Sequence, residues 1–277
     1  MSSELFPRFT TPDLEKKLTE DYDISILAFV RNPVDMRESG YQQSIRMLAI
    51  GEKWRLRAPQ DYYWHSEYLF LKNYQKIFGI DSVKAVPYDF FTSGNMLLEQ
   101  FLQWLSIKDS ERIADLDCNY RQNERLGFDY LLFLLHSLWL PLQMNIRLKL
   151  YNSLMHMSKQ VPQQENYLLI PLDSHMSYLQ EKREELEALG KEFLNTDNWY
   201  EHCTDILHHR KEPPYRNLPQ ERQKDIFNEL PATVQDAISV AGKIGDIPSD
   251  TLLPPIPTDR DSYAFLTRWF KALQQVY

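Results

Sequence analysis

The spacing of apolar residues changes character near residue 110. Before that point two short apolar runs stand out, residues 23–30 and 81–88, each too short for a helix and each bounded by turn residues. They predict strands. The first reads as a buried parallel strand and the second is weakened by Pro87 near its end. Helical spacing fills the intervals. Thr10 or Thr11, followed by Pro12 and Asp13, starts a helix that runs to about residue 19. Asn32 caps a helix from Pro33 to about residue 50, stopped by Gly51. Residues 53–60 read as a loop, 61–78 as a helix closed by Gly79, and 96–105 as another helix. This order predicts an α/β layer in the first 110 residues. Beyond it no strand is predicted. Helices are expected at 123–138, 142–157 and 174–193, the last capped by Asp173 and Ser174, with shorter ones at 221–230 and 262–274 between proline-rich loops. The pattern divides the chain into a domain at 1–200 and a helical, proline-rich extension at 201–277.

The helix after Asn32 has two distinct faces. Val34, Tyr41, Ile45 and Leu48 recur at core spacing, whereas Asp35, Ser39, Gln42 and Arg46 form a polar stripe. Arg31 stands at the carboxyl end of the first predicted strand, where open α/β sheets bind ligands. A guanidinium, a serine hydroxyl and a helix N-terminus together suit a phosphate dianion. The same residues also suit an arginine ion-paired beside an ordinary capped helix.

Composition narrows the function. A net charge of −8 and a pI near 5.4 argue against a duplex-binding surface, so no nucleic-acid partner is expected. Cys118 and Cys203 are too few for a disulfide scaffold and lack C-x-x-C spacing, which points to a reducing, cytoplasmic setting. The longest apolar stretch, 130–142, is shorter than a membrane span and contains His136 and Ser137. A buried helix is expected there. Neither G-x-G-x-x-G nor G-x-x-x-x-G-K-[ST] occurs. His202, Cys203, His208 and His209 lack an established metal-ligand spacing, so no metal site is expected; His65 and His136 read as packed side chains.

Arg31-Asn32-Pro33-Val34-Asp35 followed by Ser39-Gly40-Tyr41 resembles the 3′-phosphate-binding element of sulfotransferases that use 3′-phosphoadenosine 5′-phosphosulfate (PAPS). In that family a strand ends in Arg, an (Asp/Asn)-Pro turn opens a helix, and a Ser eight positions after the Arg completes the grip. SSELF, YQQSIR, NYQKIFG, VPYDFF and FLQWLSI look similar to the bacterial and carbohydrate-acting branch. The resemblance covers about residues 2–110 well and the helices to about 200 loosely. It implies a P-loop NTPase-like parallel-sheet core with a largely helical C-terminal half. The family's fold opens with a strand, a P-K-[ST]-[GA]-[ST]-[ST] phosphosulfate loop and a helix ahead of the matching residues, so the core is expected to be N-terminally incomplete. By the same resemblance Arg31 and Ser39 bind PAPS, and Glu4, in SSELF, is the candidate general base. Gln42 and Arg46 continue the stripe toward the acceptor, a hydroxyl compound with saccharides among the candidates. For Glu4 the alternative is an exposed carboxylate without a role, and for Arg46 a surface ion pair. Two rival readings of the whole chain remain: a catalytically degenerate sulfotransferase-like binding protein, and an unrelated helical scaffold in which Arg31 is incidental.

Overall fold

A computed structural model describes residues 22–50, 57–62, 66–88, 96–106, 126–161, 167–244, 253 and 256–264. The protein is mostly helical with a small parallel sheet, an α/β arrangement. In chain order the elements are β1 (Ile26–Val30), α1 (Pro33–Ala49), α2 (Glu67–Phe78), β2 (Val83–Pro87), α3 (Met96–Trp104), α4 (Phe128–Ser137), α5 (Met144–Gln160), α6 (Leu172–Glu181), α7 (Arg183–Leu189), α8 (Trp199–His208), α9 (Gln220–Glu229) and α10 (Ala232–Ile244). The helix expected before residue 20 lies outside the described residues, as does most of the one expected at 262–274.

The chain forms two compact units. One comprises Met1–Asp35, Trp64–Gln122 and Ser177–Ile206; the other Met36–Tyr63, Asn123–Met176 and Leu207–Tyr277. In the first unit, β1 and β2 pair in parallel, with Ile26 opposite Val83 and Val30 opposite Pro87. Pro87 ends its strand, where a missing N–H costs the ladder little. The expectation of a buried first strand holds only at Val30, which is 1% exposed, whereas Phe29 is 37% exposed. The sheet among the described residues has two strands, so β1 has one neighbour to cover it. Helix α2 starts at Ser66, whose hydroxyl accepts from the Leu69 N–H, five residues later than residue 61. Residues Pro59–Asp61 form a 3₁₀ turn instead, in the other unit. Gly79 closes α2 at φ +99°, a conformation that favours glycine.

The single helix expected over 174–193 is broken twice. Lys182 separates α6 from α7, and Gly190–Leu194 winds into a wider π turn. A side chain at 190 would meet the Thr196 carbonyl and the Trp199 Cβ at 2.7 Å, so glycine permits this close approach. Asp173 and Ser174 do not cap α6. The Pro171 carbonyl receives the Ser174 and His175 N–H groups, and the Ser174 hydroxyl is directed elsewhere. Helix α10 is absent from the sequence expectation, although its buried Val234, Ile238 and Ala241 recur at helical spacing.

In the second unit α4 is buried along its whole length and packs on α5 and α9. The 130–142 stretch is therefore core, and no helix among the described residues is long and apolar enough to cross a membrane. Between α4 and α5 the chain turns sharply around buried Arg147. Its Nε donates to the Leu142 carbonyl at 3.1 Å and its Nη2 to that of Leu140 at 2.7 Å. Burial lowers the Arg147 pKa to about 10. His136 is packed as expected, with Nε2 accepting the Leu218 N–H at 3.1 Å.

Candidate functional site

The strand-to-helix junction after β1 is built by short-range chemistry. Pro33 presets the first helical position, and Asn32, fully buried, caps α1 by accepting the Asp35 N–H on Oδ1 at 2.8 Å. The Asn32 amide also donates to Asp35 Oδ2 at 3.2 Å. Arg31 reaches that same oxygen through Nη2 at 3.2 Å, and its guanidinium carbon lies 5.5 Å from the centroid of the Tyr88 ring. The Arg31 Nε is buried and has no hydrogen-bond partner among the described residues. Leaving a buried donor unpaired costs roughly 1–3 kcal/mol. A guanidinium beside a helix N-terminus and at the carboxyl end of a parallel strand is, in general, a setting in which anions bind.

Arg31 belongs to the first unit, while Ser39, Gln42 and Arg46 belong to the second; the unbroken helix α1 carries the chain from one to the other. Asp35, Ser39, Gln42 and Arg46 are all half-buried, as a stripe beside the core face should be. The core face is likewise where it was expected: Val34, Tyr41, Ile45 and Leu48 are each at most 1% exposed. Ser39 and Gln42 make no side-chain hydrogen bond to another described residue. Arg46 is engaged within the protein. Its Nε donates to the Tyr151 hydroxyl at 3.0 Å and its guanidinium carbon lies 5.8 Å from that ring's centroid. Glu4 lies outside the described residues.

The core face of α1 also holds something the sequence reading missed. Arg37 and Glu38 are 2% and 8% exposed. From Arg37, Nε donates to the Tyr62 carbonyl at 2.9 Å, Nη1 to the Ser174 carbonyl at 3.0 Å, and Nη2 to the Ser174 hydroxyl at 3.0 Å. The Ser174 hydroxyl donates onward to the Gln60 carbonyl at 2.9 Å. Glu38 accepts the Leu169 and Ile170 N–H groups at 3.0 and 2.9 Å, and its Oε1 lies 2.9 Å from His175 Nε2. His175 Nδ1 faces Arg37 Nη1 at 3.1 Å. A guanidinium has no acceptor, so Nδ1 accepts and Nε2 carries the proton donated to Glu38. One signal was present: both residues sit three or four positions from Val34 and Tyr41, which places them on the apolar face.

His202 and Cys203 sit on α8. The His202 ring lies 5.1 Å from that of Trp199, and the Cys203 side chain is fully buried. Comparison of the chain with protein-family models, curated proteins and solved structures finds no match.

Proposed function

We propose that the protein is a sulfotransferase-like protein with a P-loop-related core that binds PAPS and transfers its sulfuryl group to a hydroxyl acceptor, with saccharides among the candidates. The observation that carries this reading is the Arg31 Nε, a buried donor with no partner among the described residues, beside the N-terminus of α1 and the end of β1. Arg31 grips the 3′-phosphate, and Ser39, on the helix that follows, adds a hydroxyl hydrogen bond. The donor supplies a sulfuryl group whose bond to the 5′-phosphate oxygen breaks as the bond to the acceptor oxygen forms, releasing adenosine 3′,5′-bisphosphate. Positioning and charge stabilisation dominate such a loose transfer, by analogy with phosphoryl transfer. Glu4 is the candidate to take the acceptor proton, and Gln42 and Arg46 to face the acceptor. A cytoplasmic setting, the default for a chain with two cysteines, belongs to the same reading.

A second reading keeps the nucleotide site without turnover. The Arg31–Asp35 ion pair favours it, because one guanidinium nitrogen is already bound to an internal carboxylate. Both readings meet the same first test, calorimetric titration of adenosine 3′,5′-bisphosphate into wild type and Arg31→Ala. The expected result is binding by wild type and a loss of about 1.5–3 kcal/mol in the variant, the worth of a hydrogen bond to a charged group. Absence of binding by wild type, or an unchanged affinity in the variant, overturns the assignment. Transfer of labelled sulfate from PAPS to a hydroxyl compound then separates the enzyme from the binding protein.

A further inference from the structure

A polar stripe on a helix presents its side chains in a fixed direction only if the helix is held against rotation and sliding. Apolar packing permits small slips at modest cost, whereas hydrogen bonds are strict in distance and angle. Helix α1 is held in the second way. Two adjacent residues of its core face, Arg37 and Glu38, project buried charged groups, and each engages backbone far away in sequence. The Glu38 carboxylate takes the Leu169 and Ile170 N–H groups together with His175 Nε2. Arg37 is spread over the Tyr62 carbonyl, the Ser174 carbonyl and hydroxyl, and His175 Nδ1. His175 joins the two, and the Ser174 hydroxyl ties the same segment to Gln60. A one-residue slip of α1 would break all of these at once. Ser39 is the residue next to Glu38, so the direction in which its side chain leaves the helix is set by this clamp.

We propose that Glu38, with Arg37 and His175, is a positioning residue: it fixes α1 so that the Ser39 hydroxyl is held ready for the 3′-phosphate. The inference rests on the nucleotide reading above. It makes Glu38 act on binding through Ser39 rather than through general stability.

A double-mutant cycle on the full chain tests this, with adenosine 3′,5′-bisphosphate as the ligand, calorimetry as the readout and a thermal melt to verify folding of each variant. Glu38→Gln keeps the side-chain volume and one acceptor but turns an NH₂ group toward backbone N–H donors, which loosens the clamp without emptying the space. The expected result is a loss of affinity of about tenfold when Ser39 is present and about twofold or less in the Ser39→Ala background, since residues that act as a unit are not additive. Equal losses in both backgrounds, or a lowered melting temperature with unchanged affinity, make Glu38 merely structural and overturn the inference while the nucleotide reading stands. An unaltered affinity in Ser39→Ala alone also overturns it. Failure of wild type to bind overturns the nucleotide reading and the inference with it. If Glu38→Gln does not fold, His175→Gln takes its place in the cycle, because glutamine retains one donor and one acceptor.

Discussion

Arg31 and Arg37 lie six residues apart and are used in opposite ways. Arg37 is buried and distributes its donors over three backbone and side-chain partners around Ser174 and Tyr62, besides His175. Arg31, whose side chain is 22% exposed, holds one carboxylate oxygen through Nη2 and keeps a buried Nε with no partner among the described residues. Burial alone does not mark a functional arginine. A guanidinium whose donors end inside the protein is part of the framework, whereas one whose buried donor meets no described residue, beside a helix N-terminus, is the candidate for a ligand.

Stability measurements give the strongest means of breaking this contrast. Replacing Arg37 with alanine removes the cation from a cluster that retains the Glu38 carboxylate, and it strips partners from the Tyr62 and Ser174 carbonyls. Losing one member of a buried charged cluster costs about 3–5 kcal/mol. Urea denaturation should therefore show a large drop in midpoint for Arg37→Ala. A drop of under about 1 kcal/mol would mean that water replaces the guanidinium freely, and that Arg37 is no more structural than Arg31.

A second satisfied cluster extends the comparison. Asp129, 6% exposed, accepts the Tyr215 hydroxyl on Oδ1 and Arg222 on Oδ2, from Nε at 3.0 Å and Nη2 at 2.8 Å. It ties α4 to α9 through Arg222 and to the segment before α9 through Tyr215. Tyr215→Phe should cost about 1–2 kcal/mol, as expected for a hydrogen bond to a charged acceptor that keeps its other partner. Burial first, then the bond to Asp129, pushes the Tyr215 pKa up to about 12 from an ordinary value of 10.0. The folded state thus holds a proton that the unfolded state releases near pH 10. The contribution of Tyr215 to stability should be complete below that pH and vanish as pH rises through about 12. The gap between wild type and Tyr215→Phe, followed by denaturation at rising pH, should narrow over that window. A gap that stays constant would show that the phenol proton is not what Asp129 holds.

The open arginine was legible in the sequence, and the closed one was not. Arg31 sits between two local signals, the end of an apolar run and an Asn-Pro cap, and both act over a few residues. The faces of α1 follow from helical period, so Val34, Tyr41, Ile45 and Leu48 were legible too. Arg37 and Glu38 share that period with the apolar face, yet polarity argues for solvent, and what overrides it is contact with residues 169–175, more than 130 positions away. No local rule reports such a partner. The wide turn at Gly190 was hidden because what requires glycine there is a tertiary contact, the close approach of Thr196 and Trp199. Residue 61 looked like a helix start by composition, whereas the cap belongs to Ser66.

The smallest expected effect on stability is the most discriminating. Arg31→Ala removes an ion pair of 3.2 Å and the contact with Tyr88, and it also removes the buried Nε that has no partner among the described residues. The first two losses destabilise, each by a fraction of a kcal/mol at a partly exposed position. Removing the buried donor relieves a desolvation penalty of roughly 1–3 kcal/mol, which offsets the two losses together. The net change should stay within about 1 kcal/mol, measured by the same urea denaturation as for Arg37→Ala. Such near-neutrality, together with loss of bisphosphate binding, is the signature of a residue kept for a ligand. If Arg31→Ala instead destabilises as much as Arg37→Ala, its Nε has a partner within the folded chain, and the distinction between the two arginines fails.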